Sequence, residues 1–159
     1  PGPHARRFRG PRRRTALLEG ADATGAPLAF GVLNGIPWIG MSGNPVSAMV
    51  SFELFVRPAL RKMQGHASLF RRVVSVTTDE EVKISAKLTH FLRAVVTRQE
   101  NGGLRARLAG AQSSGALTSM ARANALLIVP GTQQTVPKGV SLNAMMLDQS
   151  LDEETVFRL

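Results

Sequence analysis

The stretch that most constrains the fold of this chain is GMSGNPVSAMVSFELF, residues 40–55. Gly43, Asn44 and Pro45 stand between a short apolar run at 36–41 and a longer segment with helical periodicity. Asparagine is a preferred N-cap because its side-chain oxygen accepts an amide hydrogen of the first helical turn. Proline at the first helical position loses no hydrogen bond. The pattern therefore predicts a strand, a sharp turn and a helix that begins at Pro45.

The predicted helix has one apolar face, because its apolar residues recur every three or four positions. The members of this face are Ala48, Phe52, Phe55, Val56, Ala59, Leu60 and Met63. Pro58 has no amide hydrogen and crowds the carbonyl of Leu54, so we expect a kink or a break near Arg57. Gly65 is typical of a helix end.

Strands are predicted on both sides of this helix, and after Gly65 the sequence alternates with the period of two residues that is typical of strands. Residues 27–33 and 36–41 are joined by Asn-Gly, a strong hairpin signal, and the second run is apolar enough to be buried on both faces. Further strands are predicted at 72–78, 91–99, 104–109, 125–130 and 140–147, with turns at 100–103 and 136–139 and a short helix at 116–123. Several short strands with regular turns predict a small barrel or sandwich.

Composition excludes several classes of protein. The chain has 159 residues, of which 43% are hydrophobic, enough for one domain or two small ones with a core. The absence of cysteine excludes disulfide scaffolds, zinc ribbons and thiol catalysis. No apolar run reaches the roughly 18 residues of a membrane span, and no signal peptide is evident. We therefore expect a cytoplasmic protein without a membrane partner.

Positive charge is concentrated at the start of the chain. Residues 1–14 hold six of the 20 basic residues and no acidic residue, although the whole chain has a net charge of +9. They contain one aromatic residue, Phe8, and so no platform for stacking bases. We interpret residues 1–24 as a disordered, solvated segment and expect no nucleic-acid partner. A basic arm that binds nucleic acid is the alternative.

The turn at Gly43 suggests a site for an anion. Glycine permits backbone angles that are closed to other residues, and the free amides and positive dipole end of the helix would then point outward. Ser47 would add a hydroxyl donor in the first turn. Simple helix capping by Asn44 explains the same residues, and the local pattern leaves both interpretations open.

Three separated motifs resemble the molybdopterin molybdotransferase family, to which the E domain of gephyrin also belongs. The first is GMSGNPVSA at 40–48, followed by F-x-x-F-V-x-P-x-L at 52–60. The second is PLAFG at 27–31, and the third is GAQSSGALTSMARANALLIVP at 110–130. The likeness extends from about residue 25 to residue 147.

The resemblance implies a fold of the α/β plus β class. Residues 25–65 would be the C-terminal part of a three-layer α/β molybdopterin-binding domain, residues 66–148 a small C-terminal β-barrel-like domain, and residues 149–159 a loose tail. The implied activity is insertion of molybdate into adenylyl-molybdopterin, with release of AMP and assistance from Mg²⁺. The resemblance also implies a homodimeric full-length protein, of which this chain is a C-terminal fragment without the acidic residues that handle magnesium.

The resemblance further implies a site for molybdate and molybdopterin. The residues that match it are Gly43, Asn44, Pro45, Ser47, Arg93 and Ser114. A dianion is suited by hydroxyl donors, backbone amides and a guanidinium fork. From the residues alone, Arg93 fits an ordinary surface arginine of a strand, and Ser114 fits a plain loop.

The chain departs from the family pattern at two places. The family often carries two lysines of the anion pocket where this chain has Ala23 and Ala26, and Ser42 replaces a proline. Loss of the two charges predicts weaker dianion binding, by about a kcal/mol or more per charge-assisted hydrogen bond. The alternative function is a non-catalytic scaffold or oligomerisation module that binds through an exposed apolar face.

Overall fold

A computed structural model of the chain describes residues 20–21, 27–85, 87–112 and 117–148. Within the segment 1–24 that we expected to be disordered, the described part is β1 (Gly20–Ala21), which pairs antiparallel with residues 27–28. The rest of that segment, the predicted tail at 149–159 and both alanines at the lysine positions lie outside the described residues. The predicted division of the chain after residue 65 stays a prediction.

The first described unit is a β-hairpin. Strands β2 (Pro27–Leu33) and β3 (Ile36–Gly40) pair antiparallel, and the turn residues Asn34 and Gly35 have φ of +54° and +80°. Positive φ at both positions is the requirement of the turn that Asn-Gly favours, so the hairpin prediction is confirmed.

The prediction that the second strand is buried on both faces is wrong. Strand β3 ranges from exposed to half-buried, and Ile36 is 68% exposed. Among the described residues only β2 pairs with this strand, and no layer covers the hairpin. The three-layer α/β arrangement expected for residues 25–65 is therefore not present in the described part of the chain, which has one hairpin and one helical segment there.

A continuous helical segment follows the hairpin. It consists of α1 (Pro45–Ser51), a π-helical turn (Phe52–Val56) and α2 (Arg57–Met63). Pro58 has no amide hydrogen, and directly before it the amide of Arg57 donates to the carbonyl of Phe52, five residues back. The disruption expected near Arg57 is thus a π-helical turn rather than a break.

Five strands close into a barrel, which confirms the predicted barrel-like domain. The elements of this part are β4 (Val73–Thr78), β5 (Val82–Lys83), β6 (His90–Arg98), β7 (Leu104–Leu108), α3 (Leu117–Arg122), β8 (Ala125–Val129), β9 (Thr135–Val136) and β10 (Ser141–Met146). The order around the barrel is β10-β4-β7-β6-β8, with β8 paired to β10. Within the described barrel, β4 and β7 are the parallel pair. The small ladder of β5 and β9 was not predicted.

The helical segment packs against the outside of the barrel. Side chains alternate across a strand, so neighbouring residues of β8 point to opposite sides. Leu127 lies in the barrel core with Val96, whereas Leu126 packs outside with Val50 of α1 and with Met145. Helix α1 therefore covers part of the outer surface of β8.

Arginines hold the connection between α2 and β4. The guanidinium of Arg71 donates two hydrogen bonds, of 2.9 and 3.0 Å, to the carboxylate of Glu53. Arg61 Nε donates to the carbonyl of Ser68 at 2.7 Å. Burial, followed by the nearby charge of Arg71, lowers the pKa of Arg57. These contacts attach the connection to the helix.

No helix in the described ranges has the length and apolar character needed to cross a bilayer.

Gly131 packs tightly against a neighbouring loop. A Cβ at this position would lie 2.6 Å from the amide nitrogen of Leu88 and from the carbonyl carbon of Lys87. We expect Gly131→Ala to lower the free energy of unfolding by about 1–3 kcal/mol, because backbone atoms must move. Urea denaturation measures this loss. The control is Gly43→Ala, whose Cβ would meet nothing within 4 Å; equal stability of the two variants would contradict the prediction.

Candidate functional site

The start of α1 is capped by Asn44. Its Oδ1 accepts hydrogen bonds from the amides of Val46 and Ser47 at 3.1 and 3.2 Å. The amide of Ala48 donates to the carbonyl of Asn44 at 2.9 Å, and Pro45 has no amide hydrogen. The first-turn amides thus have partners inside the turn. The expectation that they are free and point outward is wrong, and the capping interpretation describes this turn.

The residues before the cap also differ from expectation. The φ of Gly43 lies outside the left-handed region, so the position needs no angle that is closed to other residues. The amide of Asn44 donates to Ser42 Oγ at 3.2 Å. The serine that replaces the family proline therefore supports the cap, and open space lies beside Gly43.

Arg93 is buried, so the interpretation as a surface arginine is wrong. Its residue is 5% exposed, and it lies on β6 opposite Leu126, which α1 covers. Its Nε donates to Ser119 Oγ at 2.6 Å, and one terminal nitrogen donates to the carbonyl of Ala111 at 2.9 Å. Burial lowers the pKa of Arg93. The result is a guanidinium fixed at the junction of the barrel with α1 and α3.

Gln112 holds the backbone of Arg93. Its Oε1 accepts from the Arg93 amide at 2.9 Å, and its Nε2 donates to the Arg93 carbonyl at 3.0 Å. The same Nε2 donates to the carbonyl of Gly110 at 3.0 Å. The first residues of the third motif are therefore attached to β6 at the position of the buried arginine.

Ser114 lies outside the described residues, as does all of 113–116. The chain on both sides of this gap contacts Arg93, through Gln112 before it and Ser119 after it. Helix α3, which carries Ser119, also contacts α1, which carries Ser47 in its first turn. The structure thus brings the surroundings of Arg93 and α1 together, while the assignment of Ser114 and Ser47 to one pocket stays a prediction.

Gln112 and Ser119 were not among the predicted site residues. Both stand in the third motif, at 110–130, and that position is the signal that the sequence offered.

Among the described residues, no three His, Asp or Glu side chains lie together as metal ligands. The described residues therefore do not fit Mg²⁺, and we derive no step through this ion.

A closed five-stranded barrel with a buried arginine beside a capped helix defines the architecture, and comparison with known proteins gives its class. Residues 75–147 match a family described as the MoeA C-terminal region (domain IV). The structure resembles a molybdopterin biosynthesis moeA protein from Pyrococcus horikoshii, with a TM-score of 0.61 and 26% identity, over 83% of this chain and 33% of that one. A molybdenum cofactor biosynthesis protein from Pyrococcus furiosus has a TM-score of 0.59 and 25% identity, over 76% and 40%.

Curated relatives agree with this class. A molybdopterin molybdenumtransferase from Staphylococcus aureus strain COL is 29% identical over 141 residues, which are 89% of this chain and 32% of the relative. One from strain Mu50 is 30% identical over 115 residues, or 72% and 27%. Residues 75–147 thus match the C-terminal region of this family, and the resemblance of the three motifs to molybdopterin molybdotransferases is confirmed. The chain spans about a third of the length of these relatives.

Proposed function

We propose that this chain forms part of the molybdate-binding pocket of a molybdopterin molybdotransferase. The observation that carries the proposal is the burial of Arg93, whose guanidinium is held in one orientation by donating to Ser119 Oγ and to the carbonyl of Ala111. A planar guanidinium in such surroundings suits an oxyanion, because its donors match oxygen pairs and desolvation strengthens the attraction. The names of the relatives support the same substrate class.

In this proposal the residues have distinct roles. Arg93 and the hydroxyls of Ser47 and Ser114 bind molybdate oxygens, while Gly43, Asn44 and Pro45 shape the turn beside them. The pocket orients molybdate toward adenylyl-molybdopterin and balances its charge, and AMP is the leaving product of the complete enzyme. A homodimer, a cytoplasmic location and the status of this chain as a C-terminal fragment belong to the same proposal.

Replacement of Arg93 tests the proposal. We expect Arg93→Ala to weaken the binding of molybdate or tungstate about tenfold or more, because one charge-assisted contact is lost. Isothermal titration calorimetry gives the dissociation constants. Arg93→Lys keeps the charge without the fork, so its affinity should lie between those of Arg93→Ala and the wild type.

The matched control removes the same charge elsewhere. Arg107 is exposed on the neighbouring strand β7, so Arg107→Ala should change the dissociation constant less than about twofold. Circular dichroism confirms that each variant is folded. Equal affinities of folded Arg93→Ala and Arg107→Ala would contradict the proposed pocket.

A scaffold or oligomerisation module is the second candidate function. It is favoured by exposed apolar side chains on the hairpin, the helix and the following connection, such as Ile36, Met63 and Phe70, the last of which is 72% exposed. Exposed apolar residues that form a patch mark interaction surfaces. Sedimentation velocity discriminates the candidates: stable oligomers of a chain that does not bind oxyanions would favour the scaffold.

A further inference from the structure

Gln112 contacts the backbone of Arg93, and Ser119 contacts its side chain. We propose that Ser119 and Gln112 are positioning residues, which set the location and the plane of the Arg93 guanidinium for oxyanion binding. This inference rests on the proposed function and deepens it. Ser119 and Gln112 act through Arg93 and do not contact the oxyanion themselves.

Ser119 fixes the plane of the guanidinium. The serine is 3% exposed, and its Oγ lies 2.6 Å from Arg93 Nε. A hydrogen bond from a cationic donor is short and strong when it is desolvated. Nε lies inside the rigid guanidinium plane, so an acceptor at Nε also restricts where the two terminal nitrogens point. The carbonyl of Ala111 restrains one of those nitrogens from a second direction.

Gln112 fixes the backbone from which the side chain starts. The pairing of β6 with β7 reaches Ala94, which lies opposite Leu108. At Arg93 the amide of Ala109 still donates to the carbonyl at 2.9 Å, and the amide side chain of Gln112 bonds both the N–H and the C=O of that residue. Gln112 thus continues the hydrogen-bond ladder by one residue. Without it, the Arg93 N–H would lose this partner where the pairing of β6 with β7 ends, while Arg93 would stay paired with Leu126 of β8.

The competing explanation is that both residues only satisfy a buried arginine. The two explanations differ in what Ser119→Ala does to ligand binding. If Ser119 positions the guanidinium, we expect Ser119→Ala to weaken tungstate binding about tenfold, and Ser119→Thr, which keeps the hydroxyl, to stay within about twofold of the wild type. In the Arg93→Ala background, Ser119→Ala should change the affinity less than about twofold, because its effect passes through the arginine.

A second measurement does not depend on tungstate. In nuclear magnetic resonance spectra of the ¹⁵N-labelled chain, the Arg93 Hε signal should exchange slowly with water. We expect Ser119→Ala, which removes the hydroxyl acceptor, to accelerate this exchange about tenfold or more. Ser119→Thr retains the acceptor and should keep the exchange slow. If Ser119→Ala does not fold, Ser119→Cys keeps the size with a weaker acceptor and should show the same direction of change. Gln112→Ala should shift the Arg93 amide signal and weaken tungstate binding in the same direction.

The outcomes separate the inference from the proposed function. If Arg93→Ala weakens tungstate binding and Ser119→Ala does not, the positioning role is wrong and the pocket stands. If the wild type does not bind tungstate, or Arg93→Ala leaves its affinity unchanged, both are wrong. A full additional loss from Ser119→Ala in the Arg93→Ala background, or an unchanged Hε exchange rate in Ser119→Ala, would also overturn the positioning role.

Discussion

Replacement of Leu126 by alanine is expected to lower the free energy of unfolding by about 2–5 kcal/mol. Leu126 is fully buried between the outer surface of the barrel and Val50 of α1, and it also packs against Met145. Truncation leaves a cavity, because the strand on one side and the helix on the other cannot move close enough together to fill it. Because Leu126 is the register partner of Arg93, the cavity opens beside the candidate pocket.

Leu127→Ala is the matched comparison. Leu127 is as deeply buried as its neighbour but lies inside the barrel, so its loss of stability should be similar in size. The two variants should differ in hydrogen exchange: Leu126→Ala should release the amides of α1 before those of the barrel, whereas Leu127→Ala should weaken the barrel strands together.

Urea denaturation followed by circular dichroism measures both losses of stability, and exchange detected by mass spectrometry locates them. Leu117→Ala, at a half-exposed position of α3, should stay within about 0.5 kcal/mol of the wild type and sets the scale for surface changes. Identical exchange patterns in the two core variants would show that α1 is not held to the barrel through Leu126.

The strands of the barrel were predictable because their evidence is local. Alternation marks strands such as β7, a continuous apolar run marks β8, and the turns carry glycines at positive φ, such as Gly102 at +79° and Gly139 at +86°. Each predicted barrel strand begins and ends within one residue of the observed one. The hairpin at Asn34 and Gly35 was predictable for the same reason.

The order of the strands was not predictable in this way. The pairing of β10 with β4 and the parallel pairing of β4 with β7 join strands that are not consecutive in the barrel sequence. No local periodicity encodes which strands become neighbours. The small ladder of β5 and β9 was missed because two residues are too few to show an alternation.

Burial at the candidate site was also hidden from the sequence. Arg93 shares one side of β6 with Phe91 and Val95, and the strand's own sequence does not show whether that side is covered. It is buried because other elements cover this side of β6. The opposite error occurred at β3, where an apolar run predicted burial that no described element provides. In both cases the deciding factor is a covering element, which the strand's own residues do not specify.

Asn124→Ala is expected to lower the free energy of unfolding by about 2–4 kcal/mol, because two backbone groups of a buried residue lose their partner. Asn124 Oδ1 accepts from the amide of Val96 at 2.7 Å, and Nδ2 donates to the carbonyl of Val96 at 2.9 Å. The pairing of β6 with β8 ends at Ala94 opposite Ala125, so this side chain continues the ladder as Gln112 does on the other edge. The third motif thus supplies both amide side chains that extend the pairing of the strand carrying the candidate arginine.

Asn124→Asp separates hydrogen bonding from size. A carboxylate keeps an acceptor for the Val96 amide but places negative charge against the Val96 carbonyl, so this variant should be no more stable than Asn124→Ala. Asn143→Ala, at an exposed position of β10, is the control and should stay within about 0.5 kcal/mol of the wild type. Urea denaturation of the three variants measures their free energies of unfolding. If Asn124→Ala unfolds at the same urea concentration as Asn143→Ala, the side chain does not hold the strand.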